Sequence, residues 1–173
     1  NRRNSQYVDN ARQALERIRE EELAVFVSHT YLPESEVSFR VRTRNLEEVK
    51  VAIYPVDLNR NLSEGALNRE KTNWVEVIES RNLLPWKTYE LEAKPEQSHG
   101  PWDHEVRIDL IPEPGAYLVE ASAGRERARE LLLVTGKALV LKSTDRSALV
   151  FFADALTGEP VREAEVVFRE AIW

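Results

Sequence analysis

The chain has 173 residues, 24 Lys and Arg against 30 Asp and Glu for a net charge of −6, and 42% hydrophobic residues. That length suits one domain of common size, or one domain and part of a second, and the balance is that of a globular chain with a real core rather than a disordered or membrane-spanning one. Acidic and basic residues are interspersed, which argues against a surface for nucleic-acid phosphates.

There is no cysteine, so disulfides, Cys-zinc sites, thioester chemistry and thiol catalysis are excluded within this chain. The compartment stays open on that ground, since an exported bacterial domain need not carry disulfides. No apolar run approaches the length of a membrane span, and the N-terminus has no signal-peptide pattern. Methionine is absent even at position 1, so the chain reads as a fragment or a processed product.

The first element, Tyr7 to Leu23, is expected to be a helix within an N-terminal segment covering residues 1–22. Ala11, Ala14, Leu15 and Ile18 recur at three- and four-residue spacing, with Arg12, Glu16, Arg17, Arg19 and Glu20 on the other face. Asp9 or Asn10 is a candidate N-cap. The polar face mixes both signs of charge and the apolar stripe is small, so packing against a neighbouring domain is favoured over a membrane surface.

After Leu23 the period changes to two. Leu23 to Val27 and Tyr31-Leu32-Pro33 read as an edge strand ending at a proline. Val37, Phe39 and Val41 alternate with Ser38, Arg40 and Arg42, and Val49, Val51 and Ile53 alternate with Lys50, Ala52 and Tyr54. A turn at Asn45-Leu46-Glu47 makes these two a hairpin. From Asp57 to Trp86 the pattern loosens into a loop excursion, in which Leu58, Leu62, Ala66 and Leu67 would face inward from a short helix weakened by Gly65.

Strands are expected again at Lys87 to Ala93 and Glu105 to Ile111, with a polar loop from Lys94 to Trp102 between them. Ala116 to Ala121 and Arg127 to Val134 form a hairpin around Ala123-Gly124. About seven strands joined by short turns make an all-β, antiparallel sandwich, residues 23–136. Past Gly136 the pattern restarts with Leu139 to Leu141, Ala148 to Phe152 and Val161 to Phe168. Three strands do not close a sandwich, so residues 137–173 read as the start of a second, truncated one.

The turn Thr157-Gly158-Glu159-Pro160 has a physical logic of its own. Gly158 supplies a positive φ, Pro160 presets φ at the strand entry, and Asp154 or Thr157 can cap the loop backbone. That is a device for ordering strands.

Chemistry is hard to find. The three histidines are His29, His99 and His104, and His99, Asp103 and His104 place two imidazoles and a carboxylate close in sequence, on a loop containing Gly100 and Pro101. A metal site wants ligands on rigid elements at defined spacing, so surface histidines are the expectation. Ser28, His29 and Asp57 lack a nucleophile elbow, and paired carboxylates for glycoside hydrolysis need a pocket that a small sandwich rarely has. No catalytic, cofactor-binding or metal-binding residue is assigned. Trp74, Trp86, Trp102, Tyr89 and Tyr54 could stack on sugar rings if they faced outward, but rings that fill the space between sheets are expected more often. Asn61-Leu62-Ser63 matches a glycosylation triplet that arises often by chance.

Four stretches carry a family resemblance: Arg40 to Leu58, Leu110-Ile111-Pro112 to Val119, Leu131-Leu132-Leu133-Val134-Thr135, and Leu149 to Val166, which contains Ala153-Asp154-Ala155-Leu156-Thr157-Gly158-Glu159-Pro160-Val161. In this order and spacing they resemble the junction of consecutive macroglobulin-like domains in bacterial alpha-2-macroglobulins, over roughly Leu23 to Trp173. The resemblance implies a macroglobulin-like sandwich of the Ig/fibronectin kind. It implies a structural module of a large protein that traps and inhibits proteases, located outside the cytoplasm, in the periplasm, on the envelope or secreted. Its partners would be adjacent domains and, through the whole protein, proteases. Neither the thioester nor a bait region is carried by this chain, and no cofactor is implied. The competing reading is a sugar-binding or spacer sandwich of a surface adhesin.

Overall fold

A computed structural model of the chain describes residues 2–62, 73–110 and 112–166, with side chains from Tyr7 onward except that of Trp74. It begins with a helix, α1 (Arg2–Arg19), which starts well before the expected caps at Asp9 and Asn10 and stops before Leu23. Leu23 instead belongs to strand β1 (Glu22–Phe26). The stop is chemical. Asn45 holds a left-handed φ of 59° and its side-chain amide donates to the carbonyls of Ile18 at 2.7 Å and Glu20 at 2.9 Å, taking up the free end of the helix.

Two antiparallel sheets follow. β1 pairs with β2 (Ser38–Arg44), and β2 with β5 (Pro101–Arg107), in the order β1-β2-β5. The second sheet runs β4-β3-β6-β7, from β4 (Lys87–Glu92), β3 (Glu48–Val56), β6 (Gly115–Ala123) and β7 (Glu126–Val134). Period-two alternation sends Val25, Phe39 and Val41 from the first sheet towards Val49, Val51, Ile53, Val119, Ala121, Leu132 and Val134 from the second, forming one buried cluster. Each large apolar side chain so buried contributes roughly 1.5–3 kcal/mol. After β1 the chain crosses between sheets at Tyr31, whose N–H donates to the Leu133 carbonyl and whose carbonyl accepts from Thr135 N–H, both at 2.8 Å. The architecture is all-β and mainly antiparallel with one N-terminal helix, consistent with an Ig/fibronectin-like sandwich.

The described ends of the excursion after β3, residues 57–62 and 73–83, form a strap over the outer face of the second sheet. A 3-10 turn, Trp74–Val77, brings Val75 and Ile78 onto Val56 and Leu118. The short helix expected from Leu58 through Leu67 lies partly outside the described residues. Its described part is a turn in which Asn61 N–H donates to the Asp57 carbonyl at 2.7 Å, followed by a bridge from Leu62 to Ile78.

The expected hairpin through Asn45-Leu46-Glu47 does not form: β2 pairs with β1 and β5 and β3 with β4 and β6, so that turn carries the chain from one sheet to the other. Two strand boundaries also differ from expectation. β5 spans Pro101–Arg107 rather than Glu105 to Ile111, because register with β2 pairs Thr43 with Trp102 and Arg44 with Pro101, which recruits the last two residues of the expected loop into the ladder. The expected strand at Val161 to Phe168 does not form over its described residues 161–166. Ala153 bridges Pro160 and Val161 N–H donates to the Phe152 carbonyl, and then Glu163 takes a left-handed φ of 60°, which turns the chain out of register. The remaining pair, β8 (Lys137–Ser143) and β9 (Ala148–Asp154), makes a two-stranded sheet of its own.

Candidate functional site

The residues with chemical potential are separated by the fold. His99 Nδ1 lies 2.7 Å from Asn45 Oδ1 at the foot of the sandwich, which makes His99 part of the anchor for α1. His104 is on a strand, not in a loop, and stacks on Trp102 at 4.9 Å with ring planes 6° apart. Asp103, between them in sequence, points to the opposite face, where Arg42 donates to it from Nε at 3.1 Å. That bond raises the Arg42 pKa above its ordinary value. His29 packs on the Tyr31 ring, while Asp57 accepts from Asn59 N–H at 2.9 Å and pairs with Arg60. Among the described residues no group of three or more His, Asp or Glu is placed to hold a metal ion.

The aromatic residues also answer to packing. Trp86 tilts against Tyr117, Tyr89 meets Phe39 edge-on, and Tyr54 joins the cluster under the strap. Burial raises the Tyr89 pKa, with Asp109 adding to the shift. These rings fill the space between and beside the sheets rather than forming an outward platform. The Tyr117 hydroxyl donates to the Glu113 carbonyl at 2.8 Å, fixing the entry to β6 next to the Pro114-Gly115 turn.

One polar cluster was missed in the sequence. Arg129 on β7 donates to Glu120 on β6, to the Ser80 hydroxyl at 3.1 Å and to the Ile78 carbonyl at 3.2 Å, so one guanidinium ties the strap to the sheet. Both ends of the ion pair are 17% exposed. A sequence signal did exist, because a hairpin centred on Gly124 and Arg125 puts Glu120 opposite Arg129. These contacts turn a charged pair into a clamp between the strap and the sheet.

The surface that stands apart is the β8–β9 sheet. One face presents Leu139, Leu141, Val150 and Phe152, and the other Ala138, Val140, Leu149 and Phe151. Leu139, Val140, Leu141 and Leu149 are all more than half exposed. At its base, Leu139 and Phe152 line a cleft of about 650 Å³ with Leu32 and Leu133 beside the larger sheets. The turn after β9 is built as the sequence implied. Asp154 accepts from Leu156 and Thr157 N–H, each at 3.1 Å, and Gly158 has a φ of 73°.

No family model matches the chain, and no curated protein matches it. Among solved structures it is similar to native alpha-2-macroglobulin from Escherichia coli spanning domains NIE-MG1, at 12% identity and a TM-score of 0.47, over 83% of this chain and 74% of that one. No residue role follows from a likeness at that level.

Proposed function

We propose that this chain is a scaffold module of a larger multidomain, macroglobulin-like protein that traps and inhibits proteases outside the cytoplasm. Its work is mechanical. Residues 1–22 form a helical segment, 23–136 a complete macroglobulin-like sandwich, and 137–173 the first part of a second one. No residue of the chain acts in catalysis or holds a cofactor, and its partners are the adjacent domains, with proteases reached through the whole protein.

The observation that carries this reading is the β8–β9 sheet, which is apolar on both faces and leaves the first sandwich directly at Gly136. An isolated pair of strands is marginal in water, and strands apolar on both faces are found covered on both. β6 shows what such cover looks like in this same chain: Val119 faces the sandwich core, Leu118 faces the strap, and both are fully buried. Tandem sandwiches supply that cover. The sequence resemblance at Pro114 to Val119 and Ala153 to Val161 supports the same arrangement.

Two measurements test it. In the complete gene product, amide exchange over residues 137–154 is slowed at least tenfold relative to the 173-residue chain; equal exchange in both rejects the tandem sandwich. A protease-inhibition assay compares the complete protein with a form lacking residues 23–136. Undiminished trapping by the shortened form rejects the scaffold role.

A further inference from the structure

Among the described residues no side chain of α1 joins either apolar cluster of the two large sheets, and Leu15 and Ile18 are exposed. What meets the end of the helix is polar. Asn45 lies in the turn that carries the chain from β2 to β3, and its amide nitrogen donates twice, to the Ile18 carbonyl at 2.7 Å and to the Glu20 carbonyl at 2.9 Å. Its Oδ1 is left to accept, and His99 Nδ1 lies 2.7 Å from it, so that ring nitrogen carries the hydrogen. His99 comes from the other crossing between the sheets at this end, residues 93–100, which join β4 to β5. Arg44 Nε adds a longer donation to the Glu20 carbonyl at 3.4 Å. Asn45 and His99 hold left-handed backbones, with φ of 59° and 61°, a conformation that residues other than glycine keep only where their surroundings hold it. Beside these contacts a cleft of about 690 Å³ stays open, lined by Arg19, Glu21, Glu47, Lys94 and His99, so the joint is not filled by packing.

We propose that Asn45 and His99 form a latch that fixes the direction in which α1 leaves the sheets, making the helix a rigid arm rather than a tether. Only Glu20 and Glu21 join α1 to β1, and rotation about their backbone bonds would swing the arm if nothing held its end. Asn45 grips that end, and His99 is the residue that positions Asn45. Without a donor on Oδ1 the amide can turn over, which would point its oxygen at the Ile18 and Glu20 carbonyls, where acceptor meets acceptor. With His99 in place the amide has one orientation, and both helix carbonyls stay satisfied. The two crossings come from different strand pairs, β2 to β3 and β4 to β5, so the angle of the arm depends on how both sheets sit at this end. A shift of either crossing moves the grip or opens it. The latch is independent of the scaffold reading.

The test is a spin-label distance measurement on the full chain, which has no cysteine of its own. Nitroxides are placed on the arm by Leu15→Cys and on β4 by Glu90→Cys, both exposed positions. One narrow distance distribution is expected, widening at least twofold with Asn45→Gly and by a smaller factor with His99→Gly. Glycine keeps the left-handed backbone at either position while removing the side chain, so the two loops are expected to hold. A broad distribution in the chain that keeps both residues, or an unchanged one in either glycine variant, overturns the proposal. A control pair within the second sheet, Glu90→Cys with the exposed Arg127→Cys, is expected to stay narrow throughout. Equal widening of that pair assigns Asn45 and His99 to general stability and overturns the latch as well.

Discussion

The β6–β7 and β8–β9 hairpins are written in similar letters and differ in what surrounds them. In the first, Leu118, Val119 and Leu132 are fully buried, because β3 extends the sheet, the opposite sheet closes one face and the strap closes the other. In the second, Leu139, Val140, Leu141, Leu149 and Phe151 are each at least 48% exposed. Burial is a property of the company a strand keeps. An apolar strand pair announces that it needs cover, and only its neighbours determine whether the cover is present.

The sharpest way to break this comparison is to delete the same atoms in both hairpins. Leu132→Ala, at a fully buried site, is expected to cost about 2–5 kcal/mol in urea unfolding. Leu141→Ala, at 51% exposure, is expected to cost under about 0.5 kcal/mol. Equal losses would show that β8–β9 is buried in solution.

The strap comes next. Arg129→Ala leaves Glu120 without its cation and the Ile78 carbonyl without its donor, and is expected to cost about 1–3 kcal/mol, discounted for partial exposure. Hydrogen exchange at residues 73–83 should quicken while that of β8–β9 is unchanged. If β8–β9 loosens to the same extent, the two regions are coupled and the contrast fails.

A smaller change should run in the opposite direction. Thr43 on β2 is 1% exposed and its hydroxyl has no hydrogen-bond partner. Thr43→Val removes that cost with little change in shape and is expected to stabilise by about 0.5–1 kcal/mol, read from the urea midpoint. Destabilisation would mean that the hydroxyl is satisfied after all.

The smallest expected effect lies at the end of β9. Thr157 N–H, then the Lys137 ammonium and Leu156 N–H, hold the Asp154 carboxyl down to about 2. A carboxyl depressed below its ordinary value of about 3.9 favours the folded turn above that value, and the contribution is lost as pH falls through about 2. An NMR titration should place the Asp154 midpoint near 2, with the Leu156 and Thr157 amide shifts following the same curve. A midpoint at the ordinary value would show that the turn is open in solution.

Much of the strand pattern was legible because period-two alternation is local: Phe39 and Val41, or Val49, Val51 and Ile53, can face one core only if the residues between them face away. Asp154 and Gly158 were legible for the same reason, since a turn is decided by its own residues. β5 was misplaced because its start depends on how far β2 continues opposite it, which residues 101–104 do not encode by themselves. The strand expected past Val161 failed at Glu163, whose left-handed backbone no propensity indicated. His99 and His104, close in sequence, were separated because a strand sends neighbouring positions to opposite environments and a turn sent His99 to Asn45 instead.

By itself, then, the sequence determined the alternation in β2, β3, β6 and β7, the turns at Gly124 and Gly158 and the absence of thiol chemistry, since these rest on residue type and short-range geometry. Tertiary structure alone decided that Asn45 ends the helix, that Arg129 clamps the strap, and that β6 is covered while β8 and β9 are not. Those outcomes depend on groups tens of residues apart meeting within hydrogen-bond or van der Waals distance, and such meetings are fixed by the packing of whole sheets.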